Sequence, residues 1–280
     1  NINAYTSQNQ TVYNLSDVPV THPGILDSCL LILNDWSNYL LLTEEEIDSE
    51  RGVIKEEWRT RRTAQFRMYS ASMKYLYPNS KFAERDVIGD LDVIENFEYD
   101  ALRDFYHQWY RTDLQAIAMA GDFDADEMEK KVVALFSQIP PVENASERPF
   151  FEIPDHAEPV FGLVTDAEAD QTMIRYMIRH RKAESGAETF MDHREQYIHE
   201  LFNAMMGQRV QELVQTGVPP FVVGVVNYGD FERGYEALMA ITIPKPNMEE
   251  EGLTALMTEV ERAKRYGFTQ GELDRSKAEI

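Results

Sequence analysis

Among 280 residues there is one cysteine, Cys29. A single thiol excludes an internal disulfide and a zinc ribbon. Followed by Leu30-Leu31-Ile32-Leu33, Cys29 reads as a core residue. Basic side chains are also scarce, 27 against 49 acids, for a formal charge of −22. That deficit argues against nucleic-acid binding and against docking on anionic lipid. No apolar run approaches the length of a membrane span. Around the six histidines there is neither H-E-x-x-H nor H-x-x-E-H. The G-x-S-x-G elbow, the phosphate loop and the dinucleotide fingerprint are absent too. No complete catalytic site is spelled out. The first residue is Asn1, inside a strand-like pattern, and Glu272 to Ile280 patterns as a helix cut short. The chain therefore reads as an excerpt of a longer protein.

What remains is a composition rich enough for real cores, 43% hydrophobic and 11% aromatic. Alternating patterns predict strands at Ile2 to Tyr5 and Thr11 to Leu15, joined by a polar turn. Pro23 is placed to open a helix, and helical spacing runs from Ile25 to about Leu40. Further helices are expected from Glu44 on through Phe66 to Tyr77, over Tyr99 to Tyr110, and from Asp124 to Phe136. Leu114 to Ala120 reads as a buried strand. Five prolines fall between Ile139 and Pro159, which marks a linker. Beyond it, Val160 to Thr165 and Gln171 to Ile178 read as paired strands, and Thr189 to Gln215 as a long helix. Val222 to Tyr228 and Tyr235 to Ile243 read as a second strand pair, with helices from Glu249 and Gln270. The expected fold is α+β. Two similar domains, each a mainly antiparallel sheet with helices on one face, occupy 1–140 and 160–280, joined by a proline-rich linker at 141–159.

One stretch carries the chemistry, Thr43 to Arg59. Thr43 and Glu46 form a capping-box pattern, so a helix should start at about Glu44. Ile47, Ile54 and Trp58 lie along one side of it. Glu50 and Glu57 border that stripe, seven residues and about two turns apart. Carboxylates turned toward a core need a cation, a proton or several donors. The plainer expectation is a solvated acidic face, with Glu57 paired to Arg61 one turn on. Glu195 and His199, four apart, read as an exposed ion pair rather than as metal ligands.

Glu50-Arg-Gly-Val-Ile-Lys-Glu-Glu57-Trp resembles the third-ligand helix of the insulinase/pitrilysin family of inverted zincins, whose metal site opens with H-x-x-E-H. Asn3-Ala-Tyr-Thr6 with Thr11-Val-Tyr13, Phe105 to Asp124, and Gly267 to Leu273 resemble family segments in the family's order. The likeness spans nearly the whole chain and is nearest to long bacterial zinc proteases. It implies a zinc-dependent endopeptidase that hydrolyses peptides or unfolded polypeptides by metal-activated water. Glu57 would be a metal ligand and Glu50 an auxiliary carboxylate. Asn3, Ala4 and Tyr5 would bind substrate as a sheet edge. The two zinc histidines and the general-base Glu fall outside this chain, so by itself it is expected to hold no zinc and to be inactive. Its implied partners are the substrate and the remaining domains of the same polypeptide, and its implied location is the periplasm or another exported site. Two rival readings stand beside this one. One is a non-catalytic scaffold member of the family, and the other an unrelated acidic binding module.

Overall fold

The computed structural model describes residues 1–22, 24–182, 189–215 and 217–280. Pro23, expected to open the first helix, lies outside them. The chain divides into two compact units, Asn1–Ala167 and Glu168–Ile280.

In the first unit β1 (Ile2–Thr6) and β2 (Thr11–Leu15) pair antiparallel, with Ile2 opposite Leu15 and Thr6 opposite Thr11. Then come α1 (Ile25–Asn38), α2 (Glu44–Arg61), α3 (Ala64–Leu76), α4 (Leu91–Asn96), α5 (Tyr99–Trp109) and α6 (Ala125–Phe136). A helix begins where a side chain can accept an amide that would otherwise be left unbonded. Thr43 accepts from Glu46, Thr63 from Phe66, Asp90 from Asp92 and Val93, and Asp124 from Glu127. The Thr63 cap splits the run expected to continue from Glu44 to Tyr77, because Arg62 leaves helical dihedrals. Ile47, Met73, Tyr77, Ile94 and Tyr106 are buried. Residues 139–159 pack on this unit: Ile139 and Ile153 are buried, and Arg111 donates to the Ser146 carbonyl.

In the second unit β3 (Ile174–Arg181), β5 (Tyr235–Pro244) and β4 (Phe221–Glu232) form an antiparallel sheet in the order β3-β5-β4. Helices α7 (Phe190–Gln215) and α8 (Glu249–Tyr266) cover one face, and α9 (Gln270–Glu279) packs on α7. Val226 and Ala240 are directly opposite across the strands. With Met206 and Val210 of α7, Leu256 of α8 and Phe221 they make the buried core. Gly224 permits the close packing, since a Cβ there would sit 2.9 Å from the Phe221 ring and 3.0 Å from Val210. The fold is thus α+β, helices over antiparallel strands. The order hairpin, helix, Thr-capped helix occurs twice, as β1-β2-α1-α2 and as β4-β5-α8-α9.

Two expected strands are corrected. Leu114–Ala120 and Val160–Thr165 join no sheet among the described residues. Their composition suits strands, and Gln115 has extended dihedrals. A strand, however, is a hydrogen-bonded ladder, and no described segment pairs with either stretch. The partner of β3 is β5, from far along the chain. Cys29 is only half-buried, and its neighbour Leu30 takes the core position instead.

At the start of α9 the capping box is complete. Thr269 accepts from the Glu272 amide, and the Glu272 carboxylate accepts from the Thr269 amide. The same carboxylate receives Arg209 of α7 at 2.5 Å. Arg209, with the Thr269 donors, holds Glu272 down at about 2, against desolvation. A carboxylate depressed on folding stabilises the native state above its unfolded value, and that contribution is lost as pH falls toward the folded value. Glu272→Gln should therefore cost about 1–2 kcal/mol near neutral pH. The difference from wild type should shrink as pH falls from 4.5 toward 2. Urea unfolding at a series of pH values measures it. In the core, Leu256→Ala should cost about 2–5 kcal/mol in the same assay, through lost burial and the cavity left behind.

Candidate functional site

One side of α2 is fixed by the chain around it. Ile47 is buried. One turn on, the Arg51 guanidinium donates to the carbonyls of Ile94 and Phe97, at 2.6 and 2.5 Å, and lies 3.7 Å over the Phe97 ring. Asp48 takes Arg51 at 3.1 Å and the Tyr99 hydroxyl at 2.8 Å. Lys55 pairs with Glu95 at 2.7 Å. These contacts turn Ile47, Arg51 and Lys55 toward α4 and the start of α5.

At 100° per residue, Glu50 and Glu57 lie together on one side of the helix, roughly 100–120° round from Arg51. Glu50 is exposed. The Glu57 side chain keeps 38% of its exposure and pairs with Arg61 at 2.5 Å. Ser49, Gly52, Val53, Glu56, Glu57 and Thr60 line a shallow open depression on this part of the helix. Val53 is 56% exposed, and a Cβ at Gly52 would meet nothing within 4 Å. A partly exposed i,i+4 pair such as Glu57–Arg61 is worth well under about 1 kcal/mol, so the carboxylate can be given up to a stronger partner.

The β1 edge has its own geometry. Asn1 and Ser16 exchange both backbone hydrogen bonds, at 2.7 and 2.9 Å. Alternation along an antiparallel pair then turns the backbone groups of Asn3 and Tyr5 toward β2, and those of Ile2, Ala4 and Thr6 outward. Of the three residues expected to meet substrate, only Ala4 offers backbone to a new strand. Its amide now donates to the Asn3 side-chain oxygen at 2.9 Å. That carboxamide caps a free sheet edge, a common protection against unwanted pairing. Tyr5 contributes a ring that is 54% exposed.

A second polar cluster lies in the other unit. Glu236, buried on β5, accepts from the Tyr228 hydroxyl at 2.9 Å. Around it stand His180 at 3.9 Å, Lys182 at 3.9 Å and His199 at 4.0 Å. Burial and the Glu236 carboxylate push the Tyr228 phenol up to about 12. Sequence spacing joined His199 to Glu195. The fold brings it to Glu236 instead, on another strand, a contact no local pattern carries. Beside β1 the hydroxyls of Tyr13 and Tyr110 are bonded to each other, the Tyr106 ring packs on Tyr110, and the Tyr106 hydroxyl donates to the Trp36 carbonyl.

Among the described residues no group of three or more His, Cys, Asp or Glu side chains is placed to hold a metal ion. Glu57 is one carboxylate, already engaged by Arg61. The described residues do not by themselves fit zinc. Nor is any described helix long and apolar enough to cross a membrane.

Comparison with known proteins places these features. Residues 1–78 match the family model described as insulinase (peptidase family M16), and residues 96–280 match that of the peptidase M16 inactive domain. The probable zinc protease PqqL of Escherichia coli is 30% identical over 278 residues, 98% of this chain and 29% of that protein. A PQQL-like zinc protease of Arabidopsis thaliana is 29% identical over 220 residues, 78% of this chain and 23% of that protein. This chain therefore spans less than a third of the curated relatives it matches. Among solved structures, the first half of the periplasmic protease PqqL from E. coli superposes with a TM-score of 0.79 at 28% identity, covering 99% of this chain and 59% of that one. Pitrilysin, at 17% identity and a TM-score of 0.63, shares the fold over 98% of this chain and 29% of its own. The chain belongs to the insulinase family, peptidase family M16, whose named relatives here are zinc proteases.

Proposed function

We propose that this chain is the part of a zinc-dependent endopeptidase that supplies one metal ligand, Glu57, and the strand on which substrate is laid, β1. The observation that carries the reading is the orientation of α2. One side is bolted down through Arg51, so Glu57 lines an open depression and Glu50, two turns earlier, is exposed rather than packed in the interior. Glu50 is an auxiliary carboxylate that steadies the site's charge and orientation. The remaining ligands and the proton-accepting group belong to other parts of the same polypeptide. No catalytic step is assigned to residues of this chain alone.

Substrate is a peptide or an unfolded polypeptide. It adds to the outward backbone groups of Ile2, Ala4 and Thr6, once the Asn3 carboxamide swings off the Ala4 amide. Pairing through backbone suits an enzyme that accepts many sequences. Residues 168–280 form the second, homologous domain and contribute shape rather than metal chemistry, a reading supported by the inactive-domain model that matches residues 96–280. The periplasmic E. coli relative supports an exported location.

In the full-length protein, Glu57→Gln should abolish stoichiometric zinc binding and lower kcat/KM on peptides by more than about 100-fold. Glu50→Gln should cost about 10–100-fold with less metal lost. Metal analysis and peptide cleavage of the purified variants measure both. Unchanged zinc content and cleavage in Glu57→Gln would overturn the proposal.

A further inference from the structure

The β1–β2 hairpin is two strands wide. Such a hairpin is marginal alone and must be held by something else. Three attachments are visible. Gln8 donates to the Arg85 carbonyl at 3.1 Å, and Arg148 to the Asn9 carbonyl at 2.8 Å, so both hold the turn. The third holds the strand itself. Tyr13 of β2 meets Tyr110, just past the end of α5, hydroxyl to hydroxyl at 2.5 Å.

Thr11 and Tyr13 are two apart, hence on one face of β2. Their partners across the ladder are Thr6 and Ala4. Both turn their backbone groups outward at the free edge, and the Tyr110 phenol, through Tyr13, grips β2 directly behind Ala4, a position that would meet an incoming strand. Tyr110 is itself immobilised. Its carbonyl accepts from Asn38 at 3.1 Å, and its ring packs on Tyr106 with centroids 4.5 Å apart. The Tyr106 hydroxyl in turn donates to the Trp36 carbonyl at 2.9 Å, and the Trp36 ring packs on Tyr13 at 5.6 Å. Burial, with the Tyr13 hydroxyl, raises the Tyr110 phenol well above its ordinary range, so it stays a neutral hydrogen-bonding group at any working pH.

We infer that Tyr110 is a positioning residue for substrate. Its hydroxyl, bonded to that of Tyr13, sets the height and register of β1 as a template for the peptide strand. The inference rests on the reading of β1 as the substrate strand. A template whose edge is already rigid does not pay ordering entropy again when the peptide adds. Removing the hydroxyl therefore weakens substrate binding more than it slows the reaction of bound substrate.

The test uses the full-length protein with an unfolded polypeptide as substrate. Tyr110→Phe keeps the ring and its packing. It should raise KM roughly three- to tenfold, the worth of one partly buried hydrogen bond, with kcat within about twofold. Amide exchange over residues 2–15 should quicken while the melting temperature moves little. Tyr13→Phe should do the same, and the double variant should be no worse than either single one, because all three remove one interaction. The control is Ala4→Pro, which deletes an outward amide without touching the hairpin's own bonds. If Ala4→Pro raises KM while Tyr110→Phe leaves both KM and hairpin exchange unchanged, the positioning role is wrong and the substrate strand stands. If Tyr110→Phe quickens exchange but Ala4→Pro leaves KM unchanged, β1 is not the substrate strand and the positioning role fails with it. Equal losses in kcat and additive effects of the two tyrosines would also overturn it.

Discussion

Arg51 decides which way α2 faces. Its guanidinium closes the last carbonyls of α4 and lies on the Phe97 ring, with Asp48 beside it. A planar, always charged fork with several donors is suited to this, and lysine would not reproduce it. With that side of the helix settled, the positions of Glu50 and Glu57 follow from the 100° step. The interaction that orients the site thus involves neither of the residues expected to act in it.

The depression beside Glu57 is shallow, and the contacts there and at the β1 edge are weak. The Glu57–Arg61 pair is a surface interaction. The Asn3 cap on Ala4 is a single local hydrogen bond. Both are easily exchanged for a better partner, as the proposed roles of Glu57 and Ala4 require. The parts that must stay put are fastened differently, through buried aromatic hydroxyls and a guanidinium seated on backbone carbonyls.

Much of this was legible in the residues. Thr43 and Asp124 announced their helices because a cap is a local event, readable from a few neighbouring side chains. The family resemblance, carried by motifs falling in order, agrees with the matched family models and with the fold. What escaped was non-local. Leu114–Ala120 and Val160–Thr165 have strand composition, but pairing depends on a partner elsewhere. His199 meets Glu236 through the packing of α7 on the sheet. The bond between Tyr13 and Tyr110 is equally non-local, because nothing in either local sequence points to the other.

The most direct measurement is diffraction from the full-length protein at the zinc absorption edge. A zinc peak within about 2.0–2.2 Å of a Glu57 carboxylate oxygen, with Arg61 released from it, is the expected result. A zinc peak remote from α2, with Glu57 still paired to Arg61, would contradict it.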